Sequence, residues 1–106
     1  MRVLVAALLI ACSGLVFAEN AEFELVIRDH RFSPSELTVP AGRKIKLLVK
    51  NEDPTPEEFE SKKLKREKVI PGKSQATIFV GPLAPGEYPF VGEFHESTAS
   101  GKLIAK

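Results

Sequence analysis

Turn signals recur along the chain at short, near-regular spacing, and they leave no room for a long helix. Asp29 to Pro34, Pro40-Ala41-Gly42, Pro54 with Pro56, Pro71-Gly72 and Pro85-Gly86 each interrupt the chain. Proline fixes φ and lacks an amide donor, while glycine takes up backbone angles that other residues resist. Between these breaks, apolar and β-branched residues alternate with polar ones, which is the period of a half-buried strand. Strands are predicted at Phe23-Glu24-Leu25-Val26-Ile27-Arg28, at 36–39, 44–50 and 75–80, through Tyr88-Pro89-Phe90-Val91, and at Lys102-Leu103-Ile104-Ala105. In the third of these, Ile45, Leu47 and Val49 fall on one face, the core face, and Phe32 is available to plug the core from the preceding turn. The expected fold class is all-β, a Greek-key β-sandwich.

Two segments need separate treatment. Residues 51–68 begin with two prolines and continue into EEFESKKLKREK, whose apolar members Phe59 and Leu64 fit neither a helix face nor strict alternation. An extended, irregular connection pinned by those two side chains is predicted there. The run Leu83-Ala84-Pro85-Gly86-Glu87-Tyr88 has the spacing of a tyrosine corner, in which the hydroxyl returns to nearby backbone.

The first eighteen residues are expected to be a leader. Met1-Arg2 is positive, Val3 to Val16 is almost wholly apolar, and Val16-Phe17-Ala18 supplies small residues at a cleavage site before Glu19. The apolar run is shorter than the roughly 20 residues of a membrane span, so no stable membrane insertion is expected after cleavage. Leu9-Ile10-Ala11-Cys12 has the look of a lipobox, which would make Cys12 a lipidated first residue. The cysteine comes early, however, and the apolar run continues past it, which favours an ordinary signal residue. Residues 19–106 then form one domain exported to the periplasm, with no cysteine for a disulfide or a thiolate ligand. A domain of this size buries about 60–65% of its unfolded surface, so an unstapled core must be well packed. Loss of Arg2 brings the 15 Lys and Arg level with the 14 Asp and Glu. Nucleic acid is therefore not an expected partner, because such binding rests on excess positive charge. Charge is instead segregated: Glu52, Asp53, Glu57, Glu58 and Glu60 precede Lys62, Lys63, Lys65, Arg66 and Lys68.

The order of features resembles the cupredoxin family over essentially all of residues 19–106. Phe32-Ser33-Pro34 leads to a strand ending in Val39-Pro40-Ala41-Gly42. Asn51 closes a strand ahead of Pro56-Glu57-Glu58-Phe59, and a Pro-Gly-x-Tyr turn feeds a strand that runs into a His-containing loop, then Gly101-Lys102. In electron-carrying members of that family the Pro-His-x-Phe position supplies a copper ligand, and a Cys-x-x-His loop with a following Met supplies the rest. By that resemblance, Glu57 stands for the first His, Gly92 for the Cys and Ala99 for the Met, leaving His95 alone in place. A blue-copper centre needs a thiolate, two imidazoles and a weak axial ligand, so that chemistry is not expected.

Thr55-Pro56-Glu57-Glu58-Phe59-Glu60-Ser61, taken with Gly92-Glu93-Phe94-His95-Glu96, is similar to the EfeO-type cupredoxin-like domains of bacterial iron uptake. The resemblance implies a site for copper(II) or iron, ions that suit carboxylates and one imidazole. Glu57 and His95 are the leading candidates, with Glu93, Glu60 and Glu67 as further contributors. Strand alternation through buried Phe59 and Phe94 turns Glu93 and His95 to one side, and separates Glu57 from Glu58. His30, beside Asp29 in a turn, reads as a surface residue; Glu52, Asp53 and Glu58 read as solvating charge. The Lys62–Lys68 run reads as a solvated face, or as an electrostatic docking strip for an acidic membrane-protein partner.

The expected function is a periplasmic metal-binding accessory of an iron-transport system, with an inner-membrane iron permease or an associated periplasmic protein as partner. A metal-free interaction module docking on an inner-membrane complex is the alternative. No nucleophile–base pair is legible, so the chain is not expected to be an enzyme, with metal-dependent oxidation of iron(II) the one option left open.

Overall fold

Alternating sequence becomes paired strand throughout residues 21–106, the part of the chain that the computed structural model describes. The expected leader and Cys12 lie outside the described residues. Nine strands run in the order β1 (Ala21–Arg28), β2 (Arg31–Ser33), β3 (Glu36–Val39), β4 (Ile45–Asn51), β5 (Glu57–Ser61), β6 (Arg66–Ile70), β7 (Ser74–Val80), β8 (Gly86–Gly92) and β9 (Ser100–Ala105). They form two sheets of order β2-β1-β4-β7 and β3-β9-β8-β5-β6. Both are mixed, because β1 runs parallel to β4 and β3 parallel to β9. The chain crosses between sheets at most of its connections, so the inner faces pack into one core as the sandwich reading requires.

That core is built from the expected faces. Leu25, Ile27, Ile45, Leu47 and Val49 are fully buried, and β4 alternates without a break. Phe32 enters from the β1–β2 hairpin and meets Phe90 edge-on, with ring centroids 4.9 Å apart and planes at 83°. Phe59 stacks on Phe90 at 5.1 Å and meets Phe32 edge-on at 6.1 Å, closing a triangle of rings. Such pairs add about 0.5–1.5 kcal/mol beyond their burial, which matters in a domain without a disulfide. At Gly101 an added Cβ would come within 2.8 Å of the Phe90 ring and 2.5 Å of the Ser35 carbonyl. The tyrosine corner is present: the Tyr88 hydroxyl donates to the Ala84 carbonyl at 2.7 Å.

Residues 51–68 depart from the sequence expectation. They contain a regular hairpin, β5 paired antiparallel with β6 from Glu57↔Ile70 to Ser61↔Arg66. Phe59 and Leu64 are buried as expected, but Leu64 lies in the turn and Phe59 in the strand, which explains why their spacing matched neither period. The Ser61 hydroxyl donates to the Pro89 carbonyl at 2.6 Å and accepts the Leu64 N–H at 3.2 Å, fixing that turn. Part of the basic run is held within the fold. Lys63 donates to the Glu87 carbonyl at 2.7 Å and lies over the Tyr88 ring, while Arg66 donates to the Phe79 carbonyl at 2.8 Å.

Candidate metal centre

The strand β5 and the loop leaving β8 meet at one end of the second sheet. Phe59 pairs with Gly92 and Glu60 with Val91, so Glu57 lies beside the turn of 3-10 helix formed by Glu93–His95. Its carboxylate turns inward. Oε1 accepts the backbone N–H of Glu58 at 3.0 Å and of Phe94 at 2.9 Å, and Oε2 lies 2.6 Å from His95 Nδ1. A buried charge is tolerated only when it is hydrogen-bonded in this way. The loop is closed behind His95, whose carbonyl accepts the N–H of Ala99 at 2.8 Å and of Thr98 at 3.1 Å.

Positions 57, 92, 95 and 99 therefore converge, as the sequence resemblance implies, but their chemistry has changed. An ideal Cβ on Gly92 would stand 2.7 Å from Glu57 Cδ and 2.7 Å from the Ala99 methyl. The Glu57 carboxyl group occupies the room that a cysteine side chain at 92 would need. Thiolate and thioether are absent and one of two family imidazoles is replaced, so these residues do not fit a blue-copper ion.

The structure supplies a second imidazole that sequence reading assigned to the surface. His30 stacks on His95 with ring centroids 3.6 Å apart and planes 12° from parallel. It is carried by a two-residue hairpin loop in which Asp29 and His30 both have left-handed backbones, φ 53 and 57. Both-positive angles define the tight turn that normally calls for Asn-Gly. Here the strain is held by Asp53, whose Oδ1 accepts the Asp29 N–H at 2.8 Å and Oδ2 the His30 N–H at 3.0 Å. Thr98 grips the other side, its hydroxyl donating to the His30 carbonyl at 2.6 Å. Asp53 is thus buried structure and not the solvating charge expected of it. Burial alone would raise its pKa, yet the two N–H donors and the nearby imidazoles hold it below the ordinary value. Asn51 secures Asp53 in turn, accepting its N–H at 3.0 Å and donating to the Thr55 carbonyl at 2.8 Å. The sequence signal for His30 was present but local: a non-glycine pair filling a tight hairpin loop.

Glu57, His95 and His30 each offer one ligand atom within 4.8 Å of the others. Glu93, Glu60 and Glu67 do not join them. Alternation ends at Gly92, where the chain turns into the 3-10 helix, so Glu93 and His95 do not share a side. Glu93 instead meets Glu58 and Glu67 in a separate acidic cluster, beside Glu60, which is paired with Glu67 across β5 and β6. Hydrogen bonding with Glu60, and then the charges of Glu58 and Glu60, push the Glu93 pKa up to about 7. Burial first, and then Glu67, raise that of Glu58, which is largely covered and not a free solvating group. Phe94 is a further correction: it was expected to anchor the core, and it is 49% exposed beside the site. Glu52 is solvating as expected, paired with Arg28 at the surface.

Comparison with known proteins agrees with this geometry at the level of fold. The profile of the cupredoxin-like domain matches residues 1–105. The uncharacterized protein RP394 of Rickettsia prowazekii (strain Madrid E) is 43% identical over 83 residues; the match covers 78% of this chain and 66% of that protein. Auracyanin A, a blue copper protein from Chloroflexus aurantiacus, superposes with a TM-score of 0.70 at 15% identity, covering 83% of this chain and all of the other. The metal-binding domain of the Streptococcus pneumoniae D39 Cu(I)-exporting P-type ATPase CopA, solved with Cu(I), gives 0.68 at 12% identity over 80% of this chain and 84% of that one. A nine-strand sandwich, four converging loop positions and a family match across nearly the whole sequence lead to one assignment: the chain belongs to the cupredoxin-like domain family.

Proposed function

We propose that this is an exported, periplasmic metal-binding protein that serves a bacterial iron-uptake system, with copper(II) or iron as cargo at the loop end of the sandwich. The single observation that carries the reading is the Glu57–His95 pair with His30 stacked over it, at the end of the fold where family members hold metal. The paired segments Thr55–Ser61 and Gly92–Glu96, similar to EfeO-type domains, motivate the iron-uptake setting and a permease or associated periplasmic protein as partner. Copper-protein relatives by fold favour copper as one cargo. Imidazole and carboxylate donors without sulfur suit copper(II) better than copper(I). Binding, and not turnover, is the role assigned; oxidation of iron(II) is the one catalysis these donors leave open.

Titration of purified residues 19–106 with copper(II) and iron(III), beside Glu57→Ala and His95→Ala, tests the reading. Stoichiometric binding weakened by both substitutions supports it; absent binding, or binding indifferent to both, refutes it. One observation favours a second reading. Glu57 accepts the N–H groups of Glu58 and Phe94 and lies against His95 Nδ1 without needing an ion, as a metal-free docking module would require. That module would co-purify with an inner-membrane partner and lose it on charge reversal at Lys62, Lys65 and Lys68.

A further inference from the structure

Each imidazole at the loop end turns Nδ1 toward a carboxylate, at hydrogen-bond distance for His95 and farther off for His30. His95 Nδ1 lies 2.6 Å from Glu57 Oε2, and His30 Nδ1 lies 3.5 Å from Asp53 Oδ2. The carboxylates lie beneath and the rings outside: side-chain exposure is 2% for Glu57 and 10% for Asp53, against 29% for His95 and 43% for His30. Both carboxylates also hold backbone N–H groups, Glu57 those of Glu58 and Phe94, Asp53 those of Asp29 and His30. Neither can leave its place for an ion without stranding buried donors, which is costly. The remaining nitrogens, Nε2 of His30 and of His95, carry no hydrogen bond from the described residues.

His95 with Glu57 is a carboxylate–histidine arrangement, and His30 lies against Asp53 in a longer ion-pair contact. A ligating histidine commonly donates its second ring N–H to a carboxylate, which fixes the tautomer and raises the basicity of the free nitrogen. We propose that the ligand atoms are Nε2 of His30 and Nε2 of His95, and that Glu57 and Asp53 are positioning residues on the protein side of the two rings. The inference rests on the metal-binding reading above and sharpens it. A pair of neutral imidazoles selects a borderline divalent ion, copper(II) first by the ordinary affinity order, over iron(III). The in-plane lone pairs of the two stacked rings lie in near-parallel planes, so one ion is captured by a tilt of one ring. His30 is the ring placed to tilt, because Asp53 and Thr98 fix its backbone while its side chain remains the more exposed of the two. Remaining positions in the shell fall to water or to a group from the recipient.

The test uses residues 19–106 with copper(II) alone, read by electron spin-echo modulation, which counts imidazoles through their remote nitrogens. A zinc(II)-loaded, nitrogen-15-labelled sample then shows which ring nitrogen is bound. The proposal expects two imidazoles bound through Nε2, one in His30→Ala and one in His95→Ala. Glu57→Gln and Asp53→Asn should keep the two-imidazole signal with affinity lowered about 10–100-fold. If Glu57→Gln does not fold, Asp53→Asn carries the same comparison. Copper bound by one imidazole and indifferent to His30→Ala overturns this assignment while the metal-binding reading stands, as does coordination through Nδ1. Failure of the wild-type protein to bind copper(II) overturns both.

Discussion

Replacing Gly92 by alanine separates the geometry proposed for the loop end from a simple loss of copper ligands. The new methyl would be placed 2.7 Å from Glu57 Cδ, 3.0 Å from Glu57 Oε1 and 2.7 Å from the Ala99 Cβ. Contacts below 3.0 Å force a displacement, and neither neighbour is free to give. Glu57 is tied at both oxygens, and Ala99 is fully buried with its backbone bonded to Gly92 and His95. Overpacking of this kind costs about 1–3 kcal/mol. Glu57→Ala alone strands the Phe94 N–H and removes the partner of His95, for about 1–3 kcal/mol. Removing the carboxylate also vacates much of the space the methyl needs, so the double variant should be less destabilised than the two single losses added together. Coupling of about 0.5–3 kcal/mol is the range for residues in contact. Urea unfolding of the four proteins, with equal slopes, reads each difference as a midpoint shift. A Gly92→Ala protein within about 0.5 kcal/mol of wild type, or strictly additive losses, would refute the claim that Glu57 fills the former cysteine position.

The turn at His30, the acidic cluster and the tyrosine corner can each be perturbed separately. Changing Asp29-His30 to Asn-Gly relieves a left-handed turn and should preserve or raise stability by about 1 kcal/mol while weakening copper(II) binding at least tenfold; a stabilised variant with unchanged affinity removes His30 from the site. The Glu93 pKa, pushed from 4.5 up to about 7, means the folded state holds a proton that the unfolded chain has lost in that window. Stability should therefore fall as pH rises from about 4.5 to 7, and Glu93→Gln should flatten that slope in urea titrations at several pH values. Tyr88→Phe removes the 2.7 Å bond to the Ala84 carbonyl and should lower stability by about 1 kcal/mol, seen as a melting shift of about 4–8 °C.

Strand alternation and turn residues were legible because they depend on neighbours in sequence. Ile45, Leu47 and Val49 alternate in the chain and are buried in the sheet, and Tyr88 reaches the backbone four residues behind it. The β5–β6 hairpin was hidden because Glu57, Glu58 and Ser61 are buried polar residues in a strand that is covered on both faces. Its hydrophobic period is erased by hydrogen bonds that no sequence pattern reports. The candidate site divided in the same way. Glu57 and His95 were found through a family pattern, and the fold brings them to 2.6 Å. His30 was missed because its role comes from a partner sixty-five positions away by number, His95, and from Asp53 holding an unfavourable turn. Extending strand alternation past Gly92 put Glu93 on the side of His95 and Phe94 in the core, whereas one turn of 3-10 helix sends Glu93 to Glu58 and Glu67, a second group able to hold an ion, and leaves Phe94 exposed.

The most direct measurement of the central claim is a copper(II) titration of residues 19–106 followed by optical absorption and electron paramagnetic resonance. One equivalent should bind with nitrogen hyperfine structure, without the intense visible band of a copper–thiolate bond, and His95→Ala should weaken binding and reduce the nitrogen signal to that of one imidazole. Saturation at 100 times the dissociation constant should also raise unfolding stability by about 2.7 kcal/mol. A spectrum without coordinated nitrogen, or no bound copper at all, would contradict the account.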